Sequence, residues 1–224
     1  MPYDWPERRD GPVPDTEVTL WAREQLVRRI ERAEHISTRV ARAMREVPRH
    51  VFVPADLLDR AYEDGPLPIG DGQTISQPTV VALMSDALQL QGNERILEIG
   101  TGSGYQAAVL SRLCADVQSL EVVEALADRA RAALASVGYD NVQVHLRDGF
   151  FGMPELAPFD GVIITAAPAE VPVRLLEQLR EGGRMVVPVG PVFGVQHLLV
   201  LRKHQGQVER TNLGPVRFVP MVGG

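Results

Sequence analysis

Apolar residues recur at helical spacing from about Glu17 to Val47. Leu20, Trp21, Leu26, Val27 and Ile30 mark one face; Ile36, Val40, Ala43, Met44 and Val47 mark a second. Ser37 or Thr38 is placed to cap the second helix, and Pro48 ends it. After Pro78 the period switches repeatedly between helix and strand. Helices are expected over Thr79–Leu90, 103–114, Glu124–Val137 and Pro172–Arg180, the last stopped by Gly182-Gly183. Strands are expected over Arg95–Ile99, Val117–Val122, Val142–Leu146, Val162–Thr165 and Met185–Val189. His197–Arg202 and Val216–Val219 follow as strands with no helical pattern between them. Such alternation predicts an α/β fold: a mostly parallel sheet covered on both faces, with an antiparallel C-terminal addition and an N-terminal helical layer.

Three stretches organise the chain. Residues 1–16 hold Pro2, Pro6, Pro12 and Pro14 and read as a loosely held arm. Residues 17–78 combine the helical layer with a long Pro- and Gly-containing loop over 48–78, either a surface connector or a lid over a site. Residues 79–224 form the core, and 17–224 read as one compact domain. A chain of 224 residues can bury a core without disulfides or a structural metal. Cys114 is the lone cysteine, and the five histidines show no ligand spacing, so no metal is expected. Net charge is −6, with 29 acidic against 23 basic residues, which speaks against a nucleic-acid partner. No signal-like or membrane-spanning run is seen, so a cytoplasmic protein without a membrane partner is expected.

The strongest local signal is LEIGTGSGYQ (97–106), a strand running through Gly100, Thr101, Gly102 and Gly104 into a helix. A dinucleotide fingerprint would need glycine at 105, which is Tyr. The observed G-x-G-x-G resembles the first motif of class I methyltransferases, which wraps S-adenosylmethionine (SAM). Successive strand ends then supply acids: Glu98 toward the cofactor's amino-acid end, Glu121 toward the ribose, and Asp148, followed by Gly149, toward the adenine.

A more specific resemblance lies around this loop. GPLPIGDGQTISQP (65–78), ILEIGTGSGYQAAVLSRL (96–113), APFDGVIITAA (157–167), GGRMVVPVG (182–190) and RFVP (217–220) resemble the protein-L-isoaspartate O-methyltransferase family. The resemblance covers roughly residues 45–220 and departs at the Pro-rich start and the short MVGG tail. It implies a Rossmann-like class I methyltransferase fold and a repair reaction. A methyl passes from SAM, leaving S-adenosylhomocysteine, to the free α-carboxyl of L-isoaspartyl residues in damaged proteins and peptides. The ester then closes to a succinimide.

By the same resemblance Ser76 is the active-site serine; its alternative is a cap for the helix starting near Thr79. Gln73, Thr74 and Ile75 are expected beside the cofactor. Leu67, Pro68 and Ile69 are expected as lid or peptide contacts, and the protein as a monomer. A free α-carboxyl ionises near ~3.5, so its alkylation needs alignment and desolvation rather than a strong base. The rivals are a small-molecule or RNA methyltransferase and a catalytically silent SAM-binding module. Against the first, the segment after the fourth strand reads ITAAPAEVP and lacks an amino-methylating N/D-P-P-Y/F motif.

Overall fold

A computed structural model describes residues 14–223, so most of the expected N-terminal arm lies outside the described residues. Helix α1 (Glu17–Glu34) begins where Thr16 and Thr19 cap one another: each side-chain oxygen accepts the other's backbone N–H. Its buried stripe runs through Arg23, Leu26, Val27 and Ile30, whereas Leu20 and Trp21 stay exposed, so the packed face is shorter than the apolar pattern. Ser37 caps α2 (Thr38–Glu46) by accepting the Val40 N–H.

Residues 48–78 do not form an open loop. Two 3₁₀ turns, Arg49–Phe52 and Ala55–Arg60, lead into a hairpin of β1 (Leu67–Gly70) and β2 (Gln73–Ile75). Asp71-Gly72 makes the two-residue turn, both at positive φ, the geometry that follows the strands' own twist. Buried Arg49 holds the segment down. Its guanidinium donates to the carbonyls of Ala61 (2.9 Å) and Gly65 (3.3 Å) and lies 4.8 Å from the Tyr105 ring centroid. Leu67 and Ile69 are fully buried in the main core, which corrects their assignment as peptide contacts; only Pro68 is exposed. Strand alternation sends positions 67 and 69 inward together.

Helix α3 (Pro78–Ala87) opens with proline in its first turn and no side-chain cap from Gln77. Asp64 does the capping from the preceding segment. It accepts the Thr79 N–H at 3.0 Å, the Thr79 hydroxyl at 2.7 Å and the Gln77 amide at 3.2 Å. Ser76 is therefore not the cap.

The remaining elements are β3 (Arg95–Ile99), α4 (Tyr105–Ser111), β4 (Asp116–Glu121), α5 (Glu124–Ser136), β5 (Val142–Leu146), β6 (Phe159–Ile164), α6 (Val173–Glu177), β7 (Leu179–Val189), β8 (Gln196–His204) and β9 (Gln207–Val216). They build a seven-stranded sheet in the order β5-β4-β3-β6-β7-β8-β9. Pairing is parallel from β5 to β7 and antiparallel from there to β9. Ile96, Val117, Ile163, Val186 and Val200 pack on one face together with Leu26, Val40 and Val81, so helical layer and sheet share a core. Leu97, Leu120, Val162, Met185 and Leu199 fill the other face.

Several boundaries differ from the pattern, most of all after α6 and at the last strand. Helix α6 stops at Glu177, and Gly182-Gly183 lies inside β7 rather than ending a helix. The chain pairs with β6 at Leu179 and again at Arg184, and the residues between bulge out. A Cβ on Gly183 would come 2.8 Å from the Asp160 carbonyl oxygen, so glycine is required for the close approach. The last strand runs over Gln207–Val216, not Val216–Val219, because a polar, exposed edge strand carries no apolar alternation. Its hairpin turn is Gln205-Gly206, again both at positive φ.

Removing the Asp64 cap takes the acceptor from the Thr79 N–H in the first turn of α3. Asp64→Ala should lower folding stability by about 1–2 kcal/mol in denaturant titration, whereas Ser76→Ala should leave the midpoint nearly unchanged.

Candidate active site

The strand order runs outward from β3 in one direction and restarts beside it at β6. Ligands of open α/β sheets collect at the carboxyl ends of strands flanking such a switch point. There the chain leaves β3 through Gly100 at φ 93°, and a Cβ on Gly100 would come 2.6 Å from Thr165 Oγ1 at the end of β6. The Leu120 carbonyl accepts the N–H of Gly100 (2.8 Å) and of Thr101 (3.2 Å). Gly104, at φ 87°, starts α4 against Ala130 of α5.

A cleft of about 790 Å³, open mouth included, lies above this loop, within the range of small-molecule sites. Gln73, Thr74, Ile75 and Ser76 form one wall; Gly100, Thr101, Gly102, Glu121 and Gly149 form the floor and the opposite side. Glu121 is held in place: Oε2 accepts the Gly102 N–H (2.8 Å), and Oε1 accepts those of Val122 (2.9 Å) and Val123 (3.0 Å). A carboxylate offers about four lone-pair sites, so acceptor capacity remains toward the cleft. Among the described residues lining the cleft, Glu121 is the only charged one. The Ser76 hydroxyl makes no hydrogen bond to another described residue.

Two predicted acids do not line the cleft. Glu98 is fully buried beneath the loop and takes a short hydrogen bond from the Ser119 hydroxyl, which lies 2.6 Å from Thr101 Oγ1. It reaches the cleft only through Thr101. Burial pushes its carboxyl up to about 8, with nearby Glu121 adding to the rise and Ser119 opposing it. A neutral carboxyl fits the site, since Oε1 has no partner there. Asp148 Oδ1 accepts the Phe150 N–H at 2.9 Å and caps a 3₁₀ turn over Gly149–Phe151. Gly223 packs so closely on its carboxylate that a Cβ would come 2.6 Å from Oδ1. Gly149, not Asp148, lines the cleft.

Sequence patterns missed other walls. Tyr105, Gln106, Val122, Val123, Thr165 and Ala166 line the cleft; those after β4 and β6 follow from the strand-end rule at a switch point. Val219–Val222 close it from the tail, where the Ala167 N–H donates to Val219 O (2.8 Å) and the Met221 N–H to Ala167 O (3.0 Å). The tail's sequence carries no signal of this. A wider groove of about 1580 Å³, open space included, adjoins the cleft and shares Thr74, Ser76, Thr165 and Val219 with it. Its only charged described lining residue is Arg217.

A parallel sheet with a glycine turn at its switch point, and a cleft whose single charge is a carboxylate, has the architecture of a class I methyltransferase. The chain belongs to the family described as protein-L-isoaspartate(D-aspartate) O-methyltransferase, whose sequence model matches residues 22–224. It is 55% identical over 178 residues to the protein-L-isoaspartate O-methyltransferase of Opitutus terrae, covering 80% of this chain and 76% of that one. It is 50% identical over 230 residues to that of a Synechococcus species, covering 99% and 93%. A solved protein-L-isoaspartate O-methyltransferase superposes with a TM-score of 0.82 at 32% identity, over 90% of this chain and 66% of that one. A Plasmodium falciparum structure, described as a protein-L-isoaspartate O-methyltransferase in complex with S-adenosyl-L-homocysteine, shares the fold at 23% identity and TM-score 0.79. No group of His, Cys, Asp and Glu among the described residues is arranged to hold a metal, and no described helix is long and apolar enough to cross a membrane.

Glu98 ties stability to pH. Its carboxyl is neutral in both states below about 4.5; between there and about 8 only the unfolded chain ionises it. Its share of the stability is therefore complete below 4.5 and lost as pH rises, at up to about 1.4 kcal/mol per pH unit. Glu98→Gln should flatten that fall, so its melting temperature should gain on the wild type between pH 5 and pH 8. A difference independent of pH would show that Glu98 is ionised in the fold.

Proposed function

We propose that the protein is a repair methyltransferase that moves a methyl group from SAM to the free α-carboxyl of L-isoaspartyl residues in damaged proteins and peptides. The observation that carries this reading is the division of charge across the shared wall at Ser76. The cleft offers one carboxylate, Glu121, and no basic side chain among its described lining, which suits a sulfonium ligand without phosphates. The groove on the other side offers one cation, Arg217, which suits an anionic acceptor. Family membership fixes the acceptor class.

SAM supplies an electrophilic methyl on a positively charged sulfur. Glu121 is placed to accept from the ribose hydroxyls, and the Gly100–Gly104 turn lets backbone approach the ligand closely. Ser76 borders both cleft and groove, and in this reading its hydroxyl holds a carboxylate oxygen in line for displacement. Thr165 also borders both, but its hydroxyl already donates to the Gly100 carbonyl (2.5 Å). No described side chain need take a proton, because the acceptor is ionised at neutral pH. The reading includes a monomer acting in a reducing cytoplasm, in keeping with Cys114 as a lone, buried thiol.

Two variants test it. Glu121→Ala should weaken SAM binding by about 1–3 kcal/mol in calorimetry, because the ribose loses a charged acceptor. Ser76→Ala should lower kcat/KM for an isoaspartyl peptide by roughly 10- to 1000-fold, with a smaller change in SAM affinity. Methylation from labelled SAM, with the aspartyl isomer of the peptide as control, is the decisive assay. Full turnover by folded Ser76→Ala would remove the hydroxyl from the reaction.

A further inference from the structure

The groove beside Ser76 has one wall that the methyl-transfer reading leaves unused. Between β7 and β8 the chain turns through Pro191–Val195 and raises three large apolar side chains into solvent. Phe193 is 97% exposed, Val195 62% and Val192 59%, and all three line the groove. Clustered exposed apolar side chains at the rim of a groove are the kind of surface that marks an interaction site.

The base of this loop is rigid. Gly190 is pressed so closely on its neighbours that a Cβ would come 2.8 Å from Gln196 Cα and from the Val195 carbonyl oxygen. Gln196 is 2% exposed and clamps the facing wall: its Oε1 accepts the Phe218 N–H (2.6 Å), and its Nε2 donates to the Phe218 carbonyl (3.1 Å). Loop and Arg217 segment are thus joined through one buried amide, with the apolar rim on one side and the cation on the other.

We propose that Phe193 and its neighbours grip an apolar side chain next to the isoaspartyl residue, making this loop the selector of flanking sequence, while Arg217 draws in the anionic acceptor. The proposal rests on the methyltransferase reading above and names the substrates it favours: isoaspartyl sites flanked by a bulky apolar residue. The groove is continuous with the cleft through Thr74, Ser76, Thr165 and Val219, so a peptide seated there reaches the reacting centre. A side chain next to the acceptor then meets the rim of the same groove. Its single positive charge opposes the acceptor's negative one in a chain of net charge −6.

The test compares two isoaspartyl peptides, identical except for Leu or Gly beside the isoaspartyl residue, in steady-state methylation by the full chain. The wild type should favour the Leu peptide in kcat/KM by about tenfold, carried by KM. Phe193→Ser should bring the ratio close to one. Arg217→Gln should raise KM for both peptides and leave their ratio intact. A ratio unchanged in Phe193→Ser overturns the proposal. So does a wild-type ratio near one, or self-association that Phe193→Ser abolishes without moving the ratio, which would assign the patch to a second copy of the chain. Failure of the wild type to methylate either peptide would overturn the methyltransferase reading instead.

Discussion

Everything at the site depends on how the backbone leaves β3. The chain must reverse within a few residues, pass against Thr165 of the neighbouring strand and start α4 against α5. Only glycine meets that close approach at φ 93°, and the turn is then fixed from below by the Leu120 carbonyl and from the side by the Glu121 carboxylate. Cleft floor, helix start and the Glu121 carboxylate are therefore one construction. Displacing any of them moves the others.

Two glutamates one strand apart have opposite fates because their surroundings differ. Glu121 takes three backbone N–H donors and borders the cleft. Glu98 is fully buried with one hydroxyl partner, and burial pushes its carboxyl toward the neutral form. Its link to the cleft runs through the Ser119 and Thr101 hydroxyls to the glycine loop. Asp148 likewise acts on backbone, setting the turn that brings Gly149 to the cleft.

The parallel strands were legible because each is a short apolar run between turn residues, and the glycine turn because its spacing is rigid. What escaped was structure made by pairing across sequence. Asp71-Gly72 is a hairpin signal, yet the flanking prolines made residues 48–78 resemble a plain loop. The polar strand Gln207–Val216 shows no period of its own and is held by its partner β8. The burial of Leu67 and Ile69 follows from the β1–β2 hairpin, which the flanking prolines mask in the sequence, so apolar residues there read as lid or peptide contacts. The acid at each strand end was visible, but whether it faces ligand or core depends on strand alternation and local packing, which sent Glu98 inward.

The tail has a consequence for how the protein is made. Residues 73–76, 99–103, 105–106, 120–123, 165–166 and 219–222 all border the same cleft, so its walls are gathered from most of the chain's length. On a ribosome that adds about 5–20 residues per second, the glycine loop emerges several seconds before Val219–Val222. Until then Ala167 lacks the partners that pin the tail, and the cleft lacks one side. Contacts of such sequence separation form late, after local helices and hairpins. A nascent chain can fold much of its core while the cofactor cleft is still open, and ligand competence arrives with the tail that follows β9 rather than with the loop that carries the signature.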